Sequence, residues 1–147
     1  EQPQPINAAQ WLEEIVQRWL VVRPDVQHSV EVTPGAEQAS MLVDTTLEQA
    51  LMNLLNNAAD ACPDDIEITL EQRDQEVLID IRDHGDGVPM AVADQLGETF
   101  ISTKSKGMGI GLFLTHATIN RFGGGVSLYN HEDGGTLTEV RLPLHLT

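Results

Sequence analysis

Between Ala8 and Leu20 the apolar residues fall on one helical stripe: Ala8, Trp11, Leu12, Ile15, Val16, Trp19 and Leu20. Asn7 is placed to cap the start and Pro24 to stop the helix. Val26 to Val32 and Met41 to Val43 read as short strands around a Thr33-Pro34-Gly35 turn. A second helical stripe follows through Leu47, Leu51, Leu54, Leu55, Ala58 and Cys62 up to Pro63, and Thr45 and Glu48 stand in the register of a capping box. Ile66 to Leu70 and Val77 to Ile81 then alternate with period two around a polar Arg73-Asp74-Gln75 turn, which predicts a hairpin.

Periodicity fades from Asp83 to Gly109, a stretch too long for an ordinary connection and therefore a candidate functional loop. A third helix is expected through Ile110, Phe113, Leu114, Ala117 and Phe122 to the stop at Gly123-Gly124-Gly125. Val126 to Tyr129 and Leu137 to Leu142 close the chain as two strands around Asp133-Gly134-Gly135. Helices and strands mix without a βαβ rhythm. That favours an α+β two-layer sandwich, with three main helices on one face of a mixed, mostly antiparallel sheet.

Composition narrows the class. A length of 147 residues suits one domain, and the Pro- and Gln-rich start makes residues 1–6 a linker remnant and 7–147 the domain. The formal net charge of −15 repels phosphate-rich surfaces, so neither nucleic acid nor direct membrane contact is expected. No apolar run approaches the roughly 18 residues of a spanning helix, and the N-terminus lacks the plan of a signal peptide, so the chain reads as soluble. Cys62 is the single cysteine, which excludes an internal disulfide and reads as a small apolar residue closing the second helix. His28, His84, His116, His131 and His145 are scattered without metal spacing and read as surface or core residues.

Three stretches stand out chemically. Gln49, Asn53, Asn57 and Asp60 form a polar stripe beside the apolar one on the second helix. Asn53, Asn56 and Asn57 each cost the helix roughly 0.6 kcal/mol relative to alanine. The stripe is either a solvated face or a set of amide oxygens suited to Mg²⁺. Asp83-His84-Gly85-Asp86-Gly87 follows directly on a strand. It is either a plain turn or a carboxylate set to accept from an exocyclic amine beside glycines that let the backbone approach a flat ring. Gly107, Gly109 and Gly111 open a helix, where free N–H groups and the helix dipole suit phosphate; Leu112 breaks the dinucleotide-binding pattern, and no Walker sequence is present. The chain's only lysines, Lys104 and Lys106, precede these glycines, as a surface pair or as phosphate-steering cations.

Taken together, these stretches resemble the ATPase domain shared by histidine kinases, gyrase, Hsp90 and MutL, and within that group histidine kinases most of all. Leu47 to Asp60 is similar to the family's N box, Asp83 to Gly87 to its G1 box, Phe100 to Lys104 to its F box, and Gly107 to Gly111 to its G2 box. The resemblance implies ATP and Mg²⁺ as cofactors, with Asn57 on the metal and Asn53 and Lys104 positioning the phosphates. Asp83 would bond the adenine amine, with Gly85, Gly87 and Thr136 near the base. Asp60, Phe100, Gly107, Gly109, Gly111 and Leu112 would complete the nucleotide site, and residues 88–106 would form the ATP lid. Thr138 stands where relatives often carry a larger apolar residue. In gyrase-type relatives the position of Asn53 holds a glutamate base; an amide cannot act as one, so the resemblance implies phosphoryl transfer rather than hydrolysis.

No histidine here lies in a phosphoacceptor segment, so the acceptor is expected on a dimerisation domain of the same kinase, with a response regulator downstream. The resemblance places the domain in the cytoplasm and the intact protein at the inner membrane. A gyrase/MutL-type hydrolase and a catalytically silent nucleotide-binding module are the rival readings. A finer similarity, in the Asn-Asn-Ala-Ala-Asp-Ala run and the Ser-Thr-Lys before the lid, is to the redox-responsive RegB/PrrB branch.

Overall fold

The computed structural model describes residues 2–85, 106–130 and 134–146, the side chains of 106–112 and of Asn130 excepted. Helix α1 (Ala8–Val22) buries Ala8, Trp11, Leu12, Ile15, Val16 and Trp19, the stripe that the periodicity predicts. Asn7 caps it by accepting from the Gln10 N–H at 2.9 Å. Helix α2 (Thr45–Ala61) buries Leu47, Ala50, Leu51, Leu54, Leu55, Ala58 and Ala59. Its cap is Asp44 rather than Thr45: the Asp44 carboxylate accepts from the Leu47 N–H at 3.0 Å and from the Thr46 hydroxyl at 2.6 Å. A carboxylate there satisfies a free helix N–H as well as a hydroxyl does and adds a charge that suits the helix dipole. Burial pushes the Asp44 pKa up, but these bonds and the positive Arg121 outweigh it and hold the group below its ordinary value. Glu48, expected to reach back to the cap, pairs instead with Arg18 of α1. Cys62 follows as the C-cap and is partly exposed, not part of the buried stripe.

Helix α3 (Lys106–Arg121) ends as its glycines predict. Gly123 takes φ +87°, its N–H donates to Asn120 O at 2.9 Å and the Gly124 N–H to Ile119 O at 3.1 Å, a Schellman closure. The strands are β1 (Gln4–Asn7), β2 (His28–Val32), β3 (Ser40–Val43), β4 (Ile66–Arg73), β5 (Glu76–Asp83), β6 (Gly125–Asn130) and β7 (Thr136–Pro143). β1 pairs antiparallel with β3, Gln4 opposite Val43 and Asn7 opposite Ser40. Residues read from the sequence as linker are therefore partly in a ribbon. A two-stranded edge tolerates Pro5, because a missing N–H costs nothing on the unpaired side.

The main sheet runs β2-β4-β5-β7-β6, and among its pairs only β2–β4 is parallel. Register aligns Ile66 with Asp83 and Asp83 with Thr136, then Ile68 with Ile81 and Ile81 with Thr138, so these side chains share one face of the sheet. That face meets the three helices in one core holding Trp11, Trp19, Leu55, Ile79, Ile81 and Ile119. Glu67, Thr69, Asp80, Arg82 and Glu139 alternate onto the other face. This is the two-layer α+β sandwich that the pattern implies. No helix among the described residues is long and apolar enough to cross a membrane.

Candidate functional site

At one end of the sheet, β5 ends beside the start of β7. Asp83 lies opposite Thr136 in the ladder, and their exposures are 4% and 6%. A carboxylate does not enter a core without partners, and Asp83 Oδ1 accepts from the Gly85 N–H at 3.0 Å. That bond folds the chain back just past the strand. Two glycines set how tightly the corner closes. A Cβ on Gly135, whose φ is +83°, would stand 2.0 Å from the Asp83 carbonyl oxygen, and one on Gly85 would stand 2.8 Å from the Ala61 carbonyl oxygen. Gly85 therefore presses the end of β5 against the last turn of α2. Thr138, 7% exposed, continues the wall between Ile81 and Leu128.

Helix α2 carries the amides. Asn53 and Asn57 are one turn apart and half-buried, whereas Gln49 and Asp60 are exposed, so the expected stripe is wet at both ends. The Asn53 amide donates to the Thr115 hydroxyl at 3.4 Å. Thr115 is 2% exposed and ties α2 to α3. Gly111 lies one turn before Thr115 on α3, hence on the side that meets α2. Lys106, Gly107 and Gly109 belong to the first turn of that helix, whose N–H groups have no intrahelical acceptor. The glycine segment is thus brought beside the amide helix. Leu112 lies in the same helix.

Asp60, expected on a nucleotide, pairs with Arg23 at 2.8 Å. The same guanidinium donates to the Asn56 backbone oxygen at 3.1 Å, bracing α2 beside Asn57. Gly87, Phe100 and Lys104, with lid residues 88–105, lie outside the described residues. Sequence reading missed Thr115, whose only signal is its place four residues after Gly111 on the same helix. It also missed Arg23, which carries no local signal. His84, read as a lone surface or core residue, meets Asp65 and Glu67 across the β4–β5 hairpin.

The donor set fits a nucleotide with a hard cation. One buried carboxylate stands by glycines that keep Cβ atoms away, half-buried amide oxygens lie a few turns along α2, and the Asn56 Oδ1 atom is buried without a hydrogen-bond partner.

Comparison with known proteins agrees with this geometry. The family model described as histidine kinase-, DNA gyrase B- and HSP90-like ATPase matches residues 43–146. Sporulation kinase A of Bacillus subtilis is 32% identical over 99 residues, 66% of this chain and 16% of that protein. Nitrogen regulation protein NtrY of Azorhizobium caulinodans is 30% identical over 145 residues, 90% of this chain and 18% of that protein. The chain thus spans less than a fifth of the length of either relative. Among solved structures, the mycobacterial sensor histidine kinase MprB superposes with a TM-score of 0.80 at 24% identity, covering 99% of each chain, a likeness of fold.

Proposed function

Because the chain belongs to the histidine kinase-, DNA gyrase B- and HSP90-like ATPase family, we propose that it binds Mg·ATP and donates the γ-phosphoryl group to a histidine on the dimerisation domain of the same kinase. That domain then passes the group to a response regulator. The observation that carries the nucleotide half of this reading is the corner where buried Asp83 lies opposite Thr136 and Gly85 abuts Ala61. There a carboxylate accepts a hydrogen bond from the adenine amine, and a ring can lie against backbone with no side chain in the way.

Along α2, Asn57 would hold the metal through its amide oxygen, and Asn53 would stand beside the phosphates. Gly107, Gly109 and Gly111, with Lys104, would cover them with N–H groups and positive charge. When bound, Mg²⁺ supplies charge neutralisation on the triphosphate. Residues 88–106 serve as the lid.

The choice of kinase over hydrolase rests on Asn53. Its amide donates to Thr115 and has no basic lone pair, so it cannot deprotonate water. An imidazole acceptor needs no such help, since its neutral form already presents a lone pair, and transfer depends on positioning and charge stabilisation. The domain works in the cytoplasm, within a kinase anchored in the inner membrane.

Supplying the dimerisation domain in trans with γ-labelled ATP tests the proposal. Acid-labile, base-stable label on that domain is the expected result, with little free phosphate released by this chain alone. Tight ATP binding without label transfer would favour a silent nucleotide-binding module, and rapid phosphate release would favour a hydrolase.

A further inference from the structure

Outside the nucleotide corner, three potential ligands meet at the open end of the β4–β5 hairpin, Glu67 within β4, Asp65 just before it and His84 just after β5. His84 Nε2 lies 2.9 Å from Glu67 Oε2 and 3.4 Å from Asp65 Oδ2, and one donor atom from each residue falls within 4.8 Å of the others. From these distances we infer that Asp65, Glu67 and His84 form a binding site for a first-row transition ion of the Zn²⁺ class.

The spacing is the first argument. Two ligands at about 2.1 Å from an ion, subtending an angle between square and tetrahedral, are roughly 3.0–3.4 Å apart. Both histidine–carboxylate separations are close to that range before any ion draws them in. Scaffold is the second. Asp65 and Glu67 flank Ile66, which pairs with Asp83 in the ladder, so the β4–β5 register itself sets both carboxylates beside the residue after Asp83. Glu67 is held in the β4 ladder, and Asp65 and His84 each stand one residue outside the paired ends of β4 and β5, which reduces the entropy lost on binding.

Ligand chemistry decides the class. Two carboxylates alone would suit Mg²⁺ or Ca²⁺, but an imidazole nitrogen shifts preference toward borderline ions, in the order that places Zn²⁺ and Cu²⁺ above Mn²⁺. Three protein ligands leave further positions to water. A chain of net charge −15 attracts the cation from a distance. Arg82, the residue opposite Glu67 in the ladder, sends its guanidinium to the Gly134 carbonyl oxygen at 3.5 Å, while Glu67 meets His84. The site requires no nucleotide, so it stands or falls apart from the ATP reading.

Calorimetric titration of the metal-free chain with ZnCl₂, without nucleotide and with excess Mg²⁺ present, tests it. One Zn²⁺ per chain is expected, with affinity at least tenfold weaker in both His84→Ala and Glu67→Gln, and with the His84 ring signals shifting first among the five histidines in NMR spectra. Both substitutions are at partly open positions, and thermal melts in chelator confirm that each variant is folded. Undiminished Zn²⁺ binding by His84→Ala, first shifts at another histidine, or no saturable binding by the parent chain would each overturn the site and leave the trio as an ion pair only.

Discussion

Asp80→Asn should stabilise the domain at neutral pH and leave nucleotide binding unchanged. Asp80 sits mid-strand on the sheet face turned away from the helices, directly opposite Thr69 on one side and Glu139 on the other. Leu78, on the same face, is 2% exposed, so this patch is partly closed to water. Asp80 Oδ1 is buried without a hydrogen-bond partner. The nearby arginines are engaged elsewhere: Arg73 holds Glu71 at 2.9 Å and Arg141 holds Glu139 at 3.0 Å.

Burial first, then Glu139 and Glu71, push the Asp80 pKa from 3.8 up to about 6, with Arg73 pulling weakly the other way. At about 1.4 kcal/mol per pH unit the full cost of ionising it in the fold is about 3 kcal/mol. Because the group is half-buried, screening by water and salt leaves about 1–2 kcal/mol. The sign follows from proton counting. Between pH 3.8 and about 6 the folded chain keeps a proton that the unfolded chain has lost, so Asp80 lowers stability as pH rises through that window and by a constant amount above it. An uncharged amide of the same shape escapes that penalty. Urea unfolding of both proteins at pH 7.5 and 4.5 should show Asp80→Asn more stable by about 1–2 kcal/mol at the higher pH, shrinking to about half to two-thirds of that at the lower. No gain at pH 7.5, or an equal gain at both, would refute the reasoning.

Gly135→Ala and Gly134→Ala separate backbone strain from collision. Both positions have positive φ, but a Cβ at Gly134 meets nothing within 4 Å whereas one at Gly135 strikes the Asp83 carbonyl. Denaturant midpoints should show a loss of about 1 kcal/mol for the first site and at least about 2–3 kcal/mol for Gly135. Thr115→Val leaves the Asn53 amide without its hydroxyl partner; a stability loss of about 1 kcal/mol and weaker ATP binding are expected, with Thr115→Ser restoring both in calorimetry. Asp83→Ala should abolish the preference for ATP over GTP in competition titrations. Asn57→Ala should retain adenine selectivity but lose the dependence of triphosphate affinity on Mg²⁺.

The first two helices were the legible part of the fold, because their burial follows a local period that needs no knowledge of partners; on α3 the named apolar residues Phe113 and Leu114 are 56% and 59% exposed, while Thr115 and Ile119 are the buried ones. The cap of α2 was not: Asp44 and Thr45 are both good caps, and the choice depends on the extended backbone at Asp44, with φ −144°. β1 was hidden by composition, since Gln and Pro fit either a linker or an edge ribbon, and only its partner Ser40–Val43 decides. Asp83 and Thr136 could be singled out through resemblance, but their meeting is set by the β5–β7 register over a separation of more than fifty residues. Thr115 and Arg23 were silent for the same reason. A threonine inside an apolar helix and an arginine after one are ordinary until a third element approaches them.

The two halves of the candidate site are held by different forces, and α2 joins them. Its C-terminal end is held by Gly85, which leaves no room for a Cβ against Ala61, by Arg23, which grips the Asn56 carbonyl and Asp60, and, just past the helix, by the Gln27 N–H, which donates to Pro63 O at 2.9 Å. The Asp83–Thr136 corner is built on a continuous strand ladder and stays put at little entropic cost. Among the described residues, one long hydrogen bond, from Asn53 to Thr115, links the amides toward the middle of α2 to α3. A nucleotide that fills both halves would draw α3 toward α2 by neutralising phosphate charge against its N-terminal N–H groups. On the proposed function, base recognition would persist when the triphosphate is lost, whereas phosphate positioning would depend on the α2–α3 pair. On that function, this asymmetry would let the domain hold ATP securely while the reacting end stays free to meet a separate acceptor.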